Sequence, residues 1–285
     1  MGNGIGQFDL RVIKEETVVT SLVYPVVLGV REDKKYSINE IFGPTVQGEG
    51  PMAGHRTVFV RIHFCDGDGQ GHWCSWCDTK YTWDPSNPEF KKFERLTADE
   101  IVSRVLELYG RIELYGGHHS NPWITLSGGN PVMQMDDDLV NTLRKMFRVQ
   151  VETQGTIWKS CLMDCDYLVV SPKPPSSGMA DLTDEQLYHW AGAARHQNVA
   201  FKVVVFDERD FLWAEDLYSR LSSGWIFPTT LFYLQAGTEQ EGEVIDAVIE
   251  KYRWLVERSL KSSVLRHAVV LPQLHVLVWG RKRGV

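Results

Sequence analysis

RTVFVRIHF, residues 56–64, is the stretch that decides the fold, because β-branched and polar residues alternate in it up to Cys65. Such alternation, with a period of two, is typical of a strand. Similar apolar runs predict five more strands, at residues 122–127, 149–152, 167–171, 201–206 and 231–235. Helical patterns lie between them, after a capping box at residues 97–100 and at residues 136–147, 184–195, 211–221 and 244–256.

The order of these elements predicts an α/β fold. Strands that alternate with helices form βαβ units and therefore a parallel sheet. About six strands are fewer than the eight of a complete barrel, so we predict a modified partial barrel of the (β/α)6 type. Functional residues of such folds lie where the parallel strands end. We expect the predicted strand ends to share one mouth: Phe64-Cys65, Ser127-Gly128-Gly129, Glu152-Thr153, Ser171-Pro172-Lys173 and Gln235.

Composition and charge limit the function classes. The chain has 285 residues, with 30 Lys and Arg against 37 Asp and Glu, a formal net charge of −7. A nucleic-acid-binding face would need clustered basic residues, so we expect no nucleic-acid partner. No uncharged run reaches the roughly 20 apolar residues of a membrane span, and Glu15 and Glu16 stand where a signal peptide is basic. We therefore expect a cytoplasmic protein with no membrane partner.

Residues 1–36 are predicted to form an N-terminal extension ahead of a core domain at residues 37–285. The extension begins glycine-rich and ends in a charged run at residues 31–35. Its apolar part, residues 17–30, is interrupted by Pro25, which predicts one or two strands. The sequence assigns no role to the extension.

Three cysteines on one loop predict a metal centre. Cys74 and Cys77 form a CxxC pair, and Cys65 precedes them directly after the first predicted strand. Three thiolates suit a four-iron, four-sulfur cluster that keeps one iron open for a ligand. A closed zinc site with His72 or His63 as fourth ligand is the alternative, and unligated thiols are a third reading. The other two cysteines are predicted to be buried structural thiols: Cys161 and Cys165.

Beyond this spacing, several motifs resemble one enzyme family. The cysteine loop is similar to the cluster loop of radical S-adenosylmethionine enzymes. Six motifs in the same order resemble 7-carboxy-7-deazaguanine synthases: residues 38–61, CSWCDTKYTWD at 74–84, TLSGGNPVMQ at 125–134, ETQGT at 152–156, SPKPPSS at 171–177 and LPQLHVLVWGRKRGV at 271–285. The resemblance spans residues 38–285.

This resemblance implies a reaction and its cofactors. The fold would be the partial barrel of radical S-adenosylmethionine enzymes, usually as a homodimer. The reaction would be a radical ring contraction of 6-carboxy-5,6,7,8-tetrahydropterin to 7-carboxy-7-deazaguanine with loss of ammonia, in the biosynthesis of 7-deazapurines such as queuosine. It would use a [4Fe-4S] cluster, S-adenosylmethionine, Mg²⁺ and an electron donor such as flavodoxin or ferredoxin. The alternatives are a radical enzyme acting on a different carboxylated substrate and a zinc-stabilised binding module.

The resemblance also implies individual site residues. The cluster would be bound by Cys65, Cys74 and Cys77, and magnesium by the hydroxyl of Thr79. S-adenosylmethionine would be bound by residues at the strand exits: Gly128, Gly129, Asn130, Glu152, Ser171, Lys173 and Gln235. The pterin would be bound by one loop, one arginine, one serine and the C-terminal carboxylate: Val46, Gln47, Gly48, Glu49, Arg61, Ser127 and Val285.

Two features depart from the family pattern. Asn130 stands where the family commonly has Glu, which weakens charge pairing to the amino group of S-adenosylmethionine. Eight residues, 66–73, separate Cys65 from Cys74, where the family spacing is often shorter. We call residues 66–73 the insert and expect it to be flexible and acidic, widening the loop without removing a ligand.

Overall fold

The computed structural model describes residues 33–110, 118–195, 198–223, 231–238, 245–280 and 282–285. The strands are β1 (Tyr36–Val46), β2 (Arg56–Ile62), β3 (Glu94–Leu96), β4 (Trp123–Gly128), β5 (Arg148–Thr153), β6 (Tyr167–Val170), β7 (Val199–Val205), β8 (Phe232–Ala236) and β9 (Val269–Leu271). The helices are α1 (Ala98–Tyr109), α2 (Asp137–Arg144), α3 (Asp184–Ala193), α4 (Glu208–Ser223), α5 (Ile245–Lys261) and α6 (Leu274–Trp279). The strands predicted within residues 17–30 lie outside the described residues.

These strands form one mixed sheet in the order β3-β1-β2-β4-β5-β6-β7-β8-β9. Strands β2 and β4 to β9 run parallel, whereas β1 is antiparallel to both β2 and β3. Among the described residues β3 and β9 are the two edges and do not pair with each other, so the sheet stays open. Helices α1, α2, α4 and α5 pack against it. The predicted α/β fold with a partial barrel is confirmed.

The six predicted strands correspond to β2 and to β4 through β8. Two of the unpredicted strands, β3 and β9, have only three residues each. The third, β1, is irregular, because its register against β2 shifts between Phe42 and Thr45, around Gly43 and Pro44. Helix α6 was not predicted either, and it has only six residues.

Helix ends follow the capping chemistry of the sequence. Thr97 and Glu100 form the predicted capping box of α1, with both reciprocal hydrogen bonds present. Asp136 caps α2 by accepting from the backbone N–H of Leu139 at 3.0 Å. None of the described helices is both long enough and apolar enough to cross a membrane.

Side chains alternate between the two faces of each strand, and the two faces differ in polarity. On the outer face, residues such as Val58, Val60, Phe201 and Val203 belong to the hydrophobic core that the helices cover. The intervening residues point to the inner face, which we call the lumen. Near the carboxyl ends of the strands, the lumen carries polar side chains: Arg61, Ser127, Glu152, Lys202 and Gln235.

Candidate active site

Two of the polar lumen residues lie at the same height on neighbouring strands, and two others are fully or almost fully buried. Arg61 of β2 is the register partner of Ser127 on β4. Lys202 on β7 and Gln235 on β8 are both buried, with exposed fractions of 6% and 0%. Burying polar groups is unfavourable unless they find partners, so this face is built for polar contacts.

A loop of residues 46–50, which we call the lumen loop, follows β1 and meets these side chains. The amide of Gln47 donates to the carboxylate of Glu152 across 3.0 Å. The backbone N–H of Gly50 donates to the side-chain oxygen of Gln235 across 3.2 Å. The structure thus brings together four residues that the sequence predicts in two different ligand sites: Gln47, Glu49, Glu152 and Gln235.

Glu49 forms a buried ion pair with Lys202. Burial would raise the pKa of Glu49, but the neighbouring Lys202 and His275 lower it to about 2. Burial would likewise lower the pKa of Lys202, but Glu49 and Glu152 raise it above its ordinary value. Both groups are therefore ionised at neutral pH, and each compensates the charge of the other.

Arg61 lies in a second charged cluster of the lumen. Its Nε lies 2.9 Å from a carboxylate oxygen of Glu40, which also accepts from the hydroxyl of Tyr81 at 2.7 Å. The N–H at that Nε is not directed at the oxygen and lacks a hydrogen-bond partner, as does the buried hydroxyl of Ser127. Unsatisfied buried polar groups are rare in folded proteins, so these two atoms are candidates for ligand contacts.

The cysteine loop adjoins the lumen through Asp78, which directly follows Cys77. Burial would lower the pKa of Arg61, but neighbouring acidic groups, Tyr81 and Asp78 foremost, raise it. The charge of Asp78 also contributes to the raised pKa of Lys202. The same acidic side chain of the cysteine loop is therefore near enough to both lumen cations to raise their pKa values.

Gly128 and Gly129 position the start of the cysteine loop. Gly128 has a φ of +123°, which side chains rarely allow. A Cβ on Gly129 would lie 2.0 Å from the carbonyl oxygen of Phe64 and 3.0 Å from the Cβ of Cys65. The glycines are thus required by direct packing against the end of β2. Their predicted contact with S-adenosylmethionine stays a prediction.

The three thiols share one environment. Burial raises the pKa of Cys65 to about 11 and that of Cys74 to about 12, and the nearby thiol of Cys77 adds to both shifts. Several N–H groups donate to sulfur: the backbone of Gly67 to Cys65 at 3.5 Å, Gln154 to Cys65 at 3.6 Å, and Trp83 to Cys77 at 3.3 Å. Since thiols with raised pKa values are protonated at neutral pH, a metal centre would have to displace their protons.

The alternative of a closed zinc site finds no support in the geometry. Zinc–sulfur bonds of about 2.3 Å in a tetrahedron would place the sulfurs within roughly 4 Å of one another. Among the described residues, no three His, Cys, Asp or Glu side chains converge tightly enough to hold one metal ion. His63 is bonded to Asn39 and His72 to Asp68. A four-iron cube holds its thiolates farther apart than one zinc ion does, and Cys77 is near enough to Cys65 and Cys74 to raise the pKa of both.

Asn130 is fully buried and engaged within the protein. Its amide donates to Asp66 at 2.8 Å and to the hydroxyl of Thr156 at 3.3 Å, and its oxygen accepts from Thr153 at 2.9 Å. Asp66 also accepts from Gln154 at 2.7 Å and from Thr156 at 2.6 Å. Asn130 therefore anchors the insert beside Cys65, a role that a second carboxylate next to Asp66 could not fill.

The insert differs from the expectation of a flexible loop. Asp68 is only 2% exposed at its side chain, and its carboxylate accepts from the backbone N–H groups of Gln70, His72 and Ala180. Burial would raise the pKa of Asp68, but these hydrogen bonds lower it well below its ordinary value. A charge satisfied in this way fixes the loop that carries it.

Ser171, Lys173 and Thr79 lie around the cysteine loop. The ammonium of Lys173 lies 3.5 Å from the hydroxyl of Ser171 and 5.6 Å from the ring centre of Trp76. It also counteracts the effect of burial on the pKa of Cys74. The hydroxyl of Thr79 donates to the carbonyl oxygen of Gly128 at 3.3 Å, so it is already engaged within the loop.

The C-terminal segment packs onto the lumen loop. Val285 and Val46 line the same cavity, of about 540 Å³, together with Arg56 and Trp279. A Cβ on Gly48 would lie 2.1 Å from Nδ1 of His275, so Gly48 allows α6 to approach. The two ends of the predicted pterin site are therefore adjacent, whereas the role of the Val285 carboxylate stays a prediction.

Sequence reasoning missed Lys202. A single charge within VAFKVVV, residues 199–205, was the available signal, because every residue of that strand is buried. A lysine in such a run must have a buried partner of opposite charge. By contrast, Cys161 and Cys165 lie in the hydrophobic core, as predicted for structural thiols.

Comparison with known proteins identifies the family. No protein-family model matches the chain. The 7-carboxy-7-deazaguanine synthase of Bacillus cereus is 35% identical over 261 residues, covering 88% of this chain and 99% of that protein. The enzyme of the same name from Bacillus subtilis is 36% identical over 262 residues, with the same coverage. The chain belongs to the 7-carboxy-7-deazaguanine synthase family. Solved QueE from Escherichia coli shares the fold, with a TM-score of 0.58 and 22% identity over 85% of this chain and 95% of that one.

Membership of the 7-carboxy-7-deazaguanine synthase family confirms several predictions at once. The chain is a radical S-adenosylmethionine lyase of 7-deazapurine biosynthesis, and its cofactors are a [4Fe-4S] cluster, S-adenosylmethionine and Mg²⁺. Its substrate is a small molecule.

Proposed function

We propose that the lumen is the site where 6-carboxy-5,6,7,8-tetrahydropterin contracts to 7-carboxy-7-deazaguanine with loss of ammonia. The observation that carries this proposal is that Arg61 and Ser127, register partners near the end of β2 that leads to Cys65, each hold a buried polar atom without a hydrogen-bond partner. A carboxylated, nitrogen-rich substrate needs cations and hydrogen-bonding groups next to the radical source. The lumen offers these groups directly beside the predicted cluster ligands.

Cys65, Cys74 and Cys77 would hold the cluster, one iron each. Their shared loop, their mutual influence on pKa and the N–H donors at their sulfurs support this assignment. When bound, the cluster and S-adenosylmethionine supply the radical that takes hydrogen from C6 of the pterin. The protein orients the two ligands and excludes water.

The cosubstrate would lie between the cysteine loop and the strand exits. Lys173 and Ser171 would contact it, because Lys173 lies over the ring of Trp76 and influences the pKa of Cys74, and Ser171 lies 3.5 Å from the Lys173 ammonium. Glu152 and Gln235 would complete the pocket from the lumen, and Gly128 and Gly129 would allow close backbone approach. The amide of Asn130 would act on the loop through Asp66 rather than pair with the amino group.

The pterin would lie against the lumen loop. Arg61 would bind its carboxylate, because the guanidinium carries an unsatisfied buried N–H. Gln47 and Glu49 offer an acceptor and donor edge that suits a fused pyrimidine. The hydroxyl of Ser127 has no partner and would contact the ring. The remaining contacts of this site would come from Val46, Gly48 and the Val285 carboxylate.

Lys202 would position a pterin-binding residue, and Thr79 would bind magnesium. Lys202 would keep Glu49 ionised and oriented by its buried ion pair. The hydroxyl of Thr79 would bind magnesium through an oxygen lone pair while its O–H donates to the carbonyl oxygen of Gly128. The acidic Asp78 next to it would favour a divalent cation at this position.

Three wider features are proposed from the resemblance. The enzyme would be a homodimer, would take electrons from a flavodoxin or ferredoxin, and would work in the cytoplasm. All five cysteines are free thiols, which suits a reducing compartment. Residues 1–36 would be an extension outside the catalytic core domain of residues 37–285.

The direct test is an anaerobic assay of the reconstituted full chain with the tetrahydropterin, S-adenosylmethionine, Mg²⁺ and dithionite. We expect 7-carboxy-7-deazaguanine and ammonia in equal amounts, with S-adenosylmethionine regenerated. A brown, iron-loaded protein that cleaves S-adenosylmethionine but leaves the pterin intact would point to a different carboxylated substrate. A colourless protein that holds one zinc ion would overturn the proposal.

A further inference from the structure

Two stacked tryptophans lie against the cysteine loop. Trp73 ends the insert and Trp83 follows the loop, and their rings are parallel within 5° with centroids 5.1 Å apart. The indole N–H of Trp83 donates to the sulfur of Cys77 at 3.3 Å. The indole N–H of Trp73 donates to the carbonyl oxygen of Cys65 at 3.0 Å. The stacked pair therefore bridges the first and last predicted cluster ligands.

The contact between Trp83 and Cys77 has consequences for the cluster. Hydrogen bonds to ligand sulfurs are among the factors that set the potential of iron–sulfur clusters. When one electron enters a cluster, negative charge on its sulfurs increases, and an N–H donor stabilises this reduced form more than the oxidised form. An indole N–H is a donor only, so it cannot reverse this preference.

The stack explains why the indole ring of Trp83 stays oriented toward the sulfur of Cys77. Trp83 could rotate away from the sulfur if its ring had space on both faces. The parallel ring of Trp73 covers one face, and Trp73 is itself fixed by its bond to Cys65. The insert thus contributes an ordered aromatic partner rather than only a wider loop.

We propose that Trp83 is a positioning residue that raises the reduction potential of the cluster, with Trp73 holding its ring in place. The proposal rests on the proposed function, because it requires Cys77 to be a cluster ligand. The step it affects is the uptake of one electron from an external low-potential reductant. The cluster is reduced, the reductant is oxidised, and no bond forms or breaks.

The test compares wild type with three single variants after anaerobic loading with iron and sulfide. Trp83→Phe removes the N–H donor and keeps an aromatic ring for the stack. Trp73→Phe removes the bond to Cys65 and leaves the donor of Trp83 in place. Trp213→Phe is the matched control, because its indole N–H donates at 2.9 Å to a carboxylate oxygen of Asp181 rather than to a sulfur. Iron content and the potential, from a dithionite titration followed by electron paramagnetic resonance, are the readouts.

We expect Trp83→Phe to load as much iron as wild type and to be reduced less readily. The equilibrium constant for reduction should fall about tenfold, which is about 59 mV toward negative potential for one electron. Trp73→Phe should shift less, and Trp213→Phe should not shift. An unchanged potential in iron-loaded Trp83→Phe would overturn the proposal, because a purely structural tryptophan would behave in that way.

A measurement on wild type removes the dependence on variants that fold poorly. With nitrogen-15 in the indole rings, pulsed paramagnetic resonance of the reduced cluster should detect coupling to one indole nitrogen. Absence of this coupling in a loaded, reduced enzyme would also overturn the proposal. A wild-type chain that binds no cluster at all would instead contradict the proposed function, so the two failures are distinguishable.

Discussion

The lumen and the cysteine loop hold their reactive groups in opposite ways. In the lumen, Glu49 and Lys202 are buried together, and each keeps the other ionised. In the loop, burial keeps Cys65 and Cys74 protonated, and neutral N–H groups surround the sulfurs. The lumen is therefore charged before any ligand arrives, whereas Cys65 and Cys74 become charged only when they bind metal. Variants of the two regions should therefore fail differently.

The largest effect is expected from Cys74→Ala. The variant should lose product formation below detection and most of its iron, because a three-cysteine site cannot lose one ligand. Its thermal unfolding without metal should resemble that of wild type, since the neutral thiol supports no ion pair. Cys161→Ala is the matched control and should keep iron and activity. Full activity in Cys74→Ala would contradict the assignment of the cysteine loop as the cluster-binding loop.

Lys202→Met should instead act on stability. Leaving Glu49 buried without a partner should lower the free energy of unfolding by about 3–5 kcal/mol, as measured by urea unfolding. The double variant with Glu49→Gln should recover much of that loss, because no uncompensated charge remains. Lys92→Met, which breaks an exposed ion pair with Glu89, should cost less than about 1 kcal/mol. Equal costs for the two lysines would contradict a preformed charged lumen.

Low pH should lower the free energy of unfolding by protonating Glu49 in the lumen. Its folded-state pKa of about 2 lies below the ordinary value of 4.5, so its contribution is fully present above about pH 4.5. The contribution, about 3 kcal/mol, should be lost as the pH falls from 4.5 toward 2. Urea unfolding between about pH 6 and 3 should therefore lose stability more steeply in wild type than in the Glu49→Gln, Lys202→Met double variant. Parallel curves would exclude Glu49 as a source of acid sensitivity.

Arg61→Ala should weaken pterin binding by about 30-fold, because one charge-assisted contact is worth about 2 kcal/mol. S-adenosylmethionine affinity should change less than about twofold, as measured by calorimetry on the loaded enzyme. Arg283→Ala is the matched control, since it removes another guanidinium that pairs with Glu40. Equal losses of affinity for the two ligands would contradict the placement of Arg61 in the pterin pocket.

The smallest effect should come from deleting Gly284 and Val285. The turnover rate should fall about tenfold, about 1.4 kcal/mol in the activation barrier, while iron content and thermal unfolding stay as in wild type. Lys282→Ala, in the same segment, should leave the rate unchanged. An unaffected rate in the truncated chain would mean that the tail only covers the surface.

The sequence predicted the regular part of the fold well, for a physical reason. Strands β2 and β4 to β8 carry strong apolar patterns because their outer faces pack against helices. The edge strands β3 and β9 are too short to produce a pattern, and the bulge around Gly43 and Pro44 breaks the pattern of β1. Tertiary pairing, rather than local preference, forms these three strands.

The sequence predicted the parts of the candidate site in which a local motif determines the backbone. It predicted less well the side-chain pairs that join residues distant in the sequence. Gly128 and Gly129 lie at the cysteine loop, as their position after a strand indicated. The pairing of Lys202 with Glu49 joins residues 153 positions apart, and no local pattern encodes it. Asn130 could be placed near the loop, but its commitment to Asp66 depends on an insert whose path the sequence does not specify.

Because Asp66 is anchored by residues outside the insert, the longer cysteine loop depends on those residues and could not be added to another chain by itself. The Asp66 carboxylate takes hydrogen bonds from Asn130, Gln154 and Thr156, which belong to two other strand exits. In a chimera that carries only the insert on a relative with a shorter loop, the Asp66 carboxylate would lack its hydrogen-bond donors. Residues 66–73 and Asn130 would therefore have to be exchanged together, and lineages should gain or lose them as one unit.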